Sequence, residues 1–202
     1  ENIVPKPQMT IETACEDLHL ELQAEKKQVR TVRVDMGRPI LDAEKIPTLL
    51  PGDPVVNQPI SLEKSLGEPQ TLNVTCVSMG NPHCVIFVEQ ATDELVLEIG
   101  PLIERDDLFP KRTNVEFVQV IDCQRVKQRT WERGSGETLA CGTGASAVCV
   151  AGVLTGRTER KITNQLLGGD LEIEWAENDH VYMTGPAEEV FRGEWNILSG
   201  LR

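Results

Sequence analysis

Ala145-Ser146-Ala147-Val148-Cys149-Val150-Ala151-Gly152-Val153-Leu154 carries no charged residue on any face. A helix that meets water keeps a polar stripe, so this one is predicted to be buried all round. The run is interrupted by Ser146 and Gly152 and is far too short to cross a bilayer. Its spacing predicts a core helix from Thr143 to about Gly156. On either side the pattern changes. Residues 71–78, 84–88, 114–120 and 126–133 read as strands, while 171–175 and 180–184 flank Ala176-Glu177-Asn178-Asp179 as a hairpin. Residues 29–36 alternate as a strand ending at Gly37-Arg38-Pro39, and 39–70 is loosely patterned and rich in Pro, Gly and charge. A short helix interrupted at Gly100-Pro101 is expected over 94–104. One buried helix among many strands predicts an α+β fold in which a sheet curls around the helix.

A chain of 202 residues with 40% hydrophobic content can bury a core without disulfide staples. Cysteines at 15, 76, 84, 123, 141 and 149 show no paired spacing, as expected of free thiols in a reducing compartment. The cytosol is the expected location; a plastid is also compatible with a chain that starts at Glu1 without an initiator Met. The net charge of -12 argues against nucleic acid or an anionic membrane as partner. Asn73-Val74-Thr75 matches a glycosylation acceptor but lies within a strand pattern.

Directly ahead of the helix runs Glu132-Arg133-Gly134-Ser135-Gly136-Glu137-Thr138-Leu139-Ala140-Cys141-Gly142-Thr143-Gly144. A cysteine at a helix mouth lies among backbone N–H groups without intrahelical partners, and the positive end of the dipole favours thiolate. The same N–H groups suit a carboxylate or phosphate. Nucleotide loops fail on spacing: no Lys follows Gly142, and Leu139 stands where a dinucleotide fingerprint needs its third glycine. A nucleophile elbow fails for the same Leu139. Proton transfer at carbon survives, beside the plain alternative of a small buried cysteine. Cys149 falls on another helix face and is expected in the core.

A second cluster is Gly80-Asn81-Pro82-His83-Cys84. Asn before Pro is pushed toward extended backbone, freeing its amide for a ligand, and His83 titrates near neutrality. The competing reading is a turn in which both side chains satisfy local backbone. Cys76, His83 and Cys84 make a poor tetrahedral set, so no metal is expected.

Met79-Gly80-Asn81-Pro82-His83-Cys84-Val85, then Phe109-Pro110-Lys111-Arg112-Thr113-Asn114-Val115-Glu116-Phe117, then Trp131 onward through Ala145 together resemble the signatures of the diaminopimelate epimerase family, in order and at matching intervals. Val34-Asp35-Met36-Gly37 with Pro39 resembles the end of that family's first domain. Met183-Thr184-Gly185-Pro186-Ala187 resembles its closing segment. The resemblance implies two similar domains, each a curved, mostly antiparallel sheet around a central helix, facing each other across a substrate cleft. It implies a pyridoxal-independent isomerase that converts LL-diaminopimelate to the meso form for lysine and peptidoglycan synthesis. The partner implied is that small molecule, with no cofactor, and a homodimer is compatible. By matching position, Cys141 is one of two acid/base thiols, accepting the proton in the LL-to-meso direction, and Glu132 assists it. Asn81, Asn114, Glu132 and Arg133 would hold substrate, with the Gly142 and Thr143 amides at its carboxylate. His83 would attend the other cysteine.

That other cysteine marks a departure, because the family's Cys-Gly-Asn-Gly motif does not occur here. Residues 1–38 are therefore expected to be a remnant of the first domain, with 188–202 returning to it, and 39–187 to be the second domain. A fragment with impaired epimerisation is the expectation, since inversion needs a proton group on each face. Proline or hydroxyproline racemases and phenazine-type isomerases are rival readings, as is a carboxylate-binding remnant without chemistry. Asn114 and Glu132-Arg133 favour the first.

Overall fold

Alternation in the sequence becomes pairing in the computed structural model, which describes residues 6–13, 17–25, 28–62 and 70–194. The strands are β1 (Gln8–Glu12), β2 (Asp17–Glu25), β3 (Gln28–Asp35), β4 (Gln58–Leu62), β5 (Gln70–Ser78), β6 (Pro82–Phe87), β7 (Asn114–Asp122), β8 (Arg125–Glu132), β9 (Gly136–Thr138), β10 (Lys161–Leu166), β11 (Gly169–Trp175) and β12 (Val181–Pro186). They form one 12-stranded sheet in the order β1-β2-β3-β12-β11-β10-β8-β7-β6-β5-β4, with β9 against β8. Pairs are antiparallel except β6–β7 and β8–β10, which are parallel.

The apolar run becomes α2 (Gly142–Leu154), and its residues 144–152 are all buried. Val77, Val85, Val118, Val126, Ile162, Ile173 and Val181, one from each of β5, β6, β7, β8, β10, β11 and β12, pack with its Ala and Val side chains. Only a curved sheet can present seven strands to one helix, which is the expected wrap. Each buried Val or Ile contributes about 1.5–3 kcal/mol. Ser146, polar and fully buried, is satisfied by donating to the Gly142 carbonyl at 2.9 Å.

The opposite sheet face carries a second core of Ile86, Phe117, Ile99 and Ile103, covered by the 94–104 stretch. Here the expected interruption takes the form of a change of helix type at Gly100. Glu94–Ile99 is π-helical and passes directly into α1 (Gly100–Glu104), because Pro101 in the first turn of α1 needs no N–H partner. Gly100 is required by closeness: a Cβ there would lie 2.9 Å from Trp131 Cβ.

The loosely patterned 39–70 segment contains β4, with Ile60 and Leu62 buried; 63–69 lies outside the described residues. Inside the other edge, which β1 forms, β3 pairs with β12, Val34 opposite Met183, and the Ala187 N–H reaches the Arg30 carbonyl at 3.0 Å. Strands β1 and β2 bury no residue fully. Within the segments assigned to a first domain, 1–5, 14–16, 26–27 and 195–202 lie outside the described residues, and 188–194 forms no helix or strand.

Candidate active site

Cys141 stands in extended conformation at the mouth of α2, its carbonyl accepting the Ala145 N–H at 2.9 Å. The N–H groups of Gly142 and Thr143 therefore begin the helix with no partner inside it. The sulfur lies 3.5 Å from the Thr143 hydroxyl, and the residue is only 7% exposed. This burial works against the thiolate that the helix mouth favours. Loss of water first, then the Glu116 carboxylate, push the thiol up to about 11, with Glu132 adding to the rise. The Thr143 hydroxyl and Gly144 amide oppose it and lose.

His83, fully buried on β6, pairs across the sheet with Asn114 on β7. Its Nδ1 lies 2.7 Å from Glu116 Oε1 and its Nε2 3.0 Å from Asn81 Oδ1. With Oδ1 on the ring, the Asn81 Nδ2 donor keeps no partner among the described residues. Gly80 at φ +89 makes the turn that aims Asn81, a conformation side-chain-bearing residues avoid. Glu116 is held above the ordinary carboxylate range by burial, with Glu132 pushing the same way and His83 pulling down. Its Oε2 is buried without a partner among the described residues. Gly144 is what lets these groups meet: a Cβ there would sit 2.8 Å from Glu116 Oε1 and 3.2 Å from Cys141 Sγ.

Asn114 makes two hydrogen bonds within the protein. Its Nδ2 donates to the Pro82 carbonyl at 2.9 Å and its Oδ1 accepts the Arg133 N–H at 2.9 Å, bracing the 80–83 turn against the 132–136 turn. Glu132, half-buried at the end of β8, accepts the Thr138 hydroxyl from β9 at 2.6 Å. Arg133 is exposed and donates through Nη1 to the Lys111 carbonyl at 3.0 Å. The structure thus brings Cys141, Glu132, His83, Asn81, Asn114, Gly142 and Thr143 to one end of the sheet, with Arg133 on the rim. Leu139, 69% exposed, borders the same rim.

Three supporting residues escape motif reading. Glu116 and Gln128 lie beneath Gly144, and Glu104, 2% exposed, accepts Trp131 Nε1 at 2.9 Å and the Gly134 N–H at 3.1 Å. A carboxylate inside an apolar strand, as in Val115-Glu116-Phe117, is the signal that could have marked the first. Among the other thiols, Cys149 is core and pushed by burial to about 12, Cys76 and Cys84 are buried opposite each other, and Cys123 is exposed. Cys15 lies outside the described residues, so among those described Cys141 is the one thiol at this site. A cavity of about 680 Å³ bordered by His19, Arg33, Asp35 and Tyr182 lies elsewhere, on the β1–β3 side. Among the described residues no helix is long and apolar enough to cross a membrane.

The sequence profile of the family described as "Diaminopimelate epimerase" matches residues 75–190. The diaminopimelate epimerase of Moorella thermoacetica is 53% identical over 191 residues, covering 94% of this chain and 67% of the relative. That of Methanococcus maripaludis is 52% identical over 193 residues, covering 95% of this chain and 68% of the relative. The chain thus spans about two thirds of the length of these relatives. Among solved structures, a hydroxyproline epimerase from Agrobacterium vitis with bound trans-4-hydroxy-L-proline superposes with a TM-score of 0.62 at 16% identity, covering 91% of this chain and 58% of that one. That likeness bears on the fold.

Proposed function

The chain belongs to the diaminopimelate epimerase family, isomerases of lysine biosynthesis, and from that membership we propose that Cys141 moves the α-proton of diaminopimelate between its LL and meso forms. One observation carries the reading: a dry thiol beside the Gly142 and Thr143 amides, which begin α2 without intrahelical partners, and the Glu132 carboxylate. In the LL-to-meso direction the Cα–H electron pair stays on carbon while the proton passes to Sγ. The amides then face the carboxylate on which negative charge builds. A thiol near 11 yields a strongly basic thiolate, narrowing the gap to a very weak carbon acid. Burial is the first cause of the raised thiol and carboxylate repulsion the second; the substrate's ammonium group, arriving beside Glu132 and Cys141, offsets that repulsion and favours thiolate.

Asn81 Nδ2 and the Arg133 guanidinium are the donors placed to hold the rest of the substrate, and Asn114 shapes both turns that carry them. Inversion requires a second proton from the opposite face. Among the described thiols none but Cys141 is at the site, so that group is assigned to the portion of the relatives outside the match, with His83 attending it. On this reading the 202-residue chain binds substrate and exchanges its α-proton, while epimerising slowly. The free buried thiols favour a cytosolic setting.

Isothermal titration separates the substrates. LL-diaminopimelate should bind and proline should not; preference for proline, or binding of neither, would overturn the assignment.

A further inference from the structure

We propose that Glu116 is a positioning residue coupling the two poles of the site, holding His83 through Oε1 while its charge faces the Cys141 sulfur. The proposal rests on the roles given above to Cys141 and His83, but its test needs neither substrate nor turnover.

The geometry is specific. Glu116 on β7 and His83 on β6 are both fully buried, and their 2.7 Å contact is short enough to share a proton. The same Oε1 and the Cys141 sulfur border one point, the missing Cβ of Gly144, at 2.8 and 3.2 Å. Oε2 is buried without a partner among the described residues, which works against ionisation of Glu116. The charged or titratable groups facing Glu116 and Cys141 are His83 from β6 and Glu132 from β8, with the Cys84 thiol behind them on the far face of β6; β10 brings neutral Asn164, β8 neutral Gln128, β12 neutral Met183, and α2 no charge at all.

Negative charge on Glu116 and on Cys141 is mutually unfavourable in so dry a place. While Cys141 is thiolate, Glu116 keeps its proton and His83 is neutral. When Sγ takes the substrate proton, the Glu116 proton can cross to His83 Nδ1, giving carboxylate and imidazolium with no net proton gained or lost. His83 thereby becomes an acid at the moment when the opposite face of the carbon needs one. The pole that accepts and the pole that donates are kept in antiphase by one carboxyl group.

The experiment follows iodoacetamide alkylation of the Cys141 peptide by mass spectrometry across pH, in the wild-type chain and in Glu116→Gln. Cys123, exposed and remote, is the internal reference. The wild-type rate should rise with pH, flatten where ionisation of Glu116 makes the thiol shift upward, then rise again. Glu116→Gln should abolish that shift and react about tenfold faster at a fixed pH above it, with Cys123 unchanged. Superimposable profiles overturn the coupling. Should the variant fail to fold, the wild-type profile decides alone, and a single uninterrupted rise overturns the proposal. A displaced profile in a chain that shows no α-proton exchange would instead sink the functional reading while leaving the coupling in place.

Discussion

Asn114 accepts the Arg133 backbone N–H at 2.9 Å, so the rim arginine is positioned from inside the sheet by a residue 4% exposed. Replacing Asn114 by Ala orphans that N–H and the Pro82 carbonyl together. The expected cost is about 2–4 kcal/mol in urea unfolding, with loss of substrate binding. Asn114→Asp keeps the acceptor and loses the donor, so it should fall between the two. A cost under about 0.5 kcal/mol for the alanine variant would show that the brace is unimportant.

Glu104 sets the neighbouring turn through Trp131 and the Gly134 N–H. Glu104→Ala leaves the part-buried Trp131 Nε1–H and the Gly134 N–H without this acceptor and should destabilise by about 1–3 kcal/mol, read as a lower urea midpoint. Glu104→Gln, which keeps one carbonyl oxygen, should lose less. Equal losses would argue that side-chain volume matters rather than hydrogen bonding.

Alkali should weaken the fold through its buried thiols. Folded Cys141 is raised from 9.0 to about 11 and Cys149 to about 12. A raised thiol stabilises fully below 9.0, and that contribution falls away as pH climbs through the folded values. Each pH unit removes about 1.4 kcal/mol per such group. Urea midpoints measured from neutrality to strong alkali should drop over this window, and less steeply in Cys149→Ala. The same slope in both chains would contradict the burial argument.

Hydrogen exchange should divide the sheet. Strands β5 to β8 and helix α2 lie within the two cores, whereas β1 and β2 bury no residue fully. Slow exchange is expected in the former and fast exchange in the latter. Protection of β2 equal to that of α2 would mean that the outer strands belong to the same cooperative unit.

Helix α2 and most of its wrapping strands were legible because an uncharged run and clean alternation each admit one environment. Strand β10 hides from that logic: Lys161-Ile162-Thr163-Asn164-Gln165-Leu166 looks too polar for a core strand until Asn164 is seen donating to Gln128. The short β9 escapes because its pairing depends on the turn before it. Site residues announced themselves by chemistry next to glycine, and the sheet does gather them. The state of the Cys141 thiol was not legible, since local sequence shows the helix mouth but not Glu116, delivered by another strand. The bracing hydrogen bonds of Asn114, expected in sequence to hold substrate, were likewise not legible.

Deuterium wash-in decides the central claim. Incubated with LL-diaminopimelate in deuterated water, the wild-type chain should place deuterium at an α-carbon while forming little meso product, and Cys141→Ala should place none. Exchange that persists undiminished in Cys141→Ala would contradict the assignment of this thiol as the proton carrier.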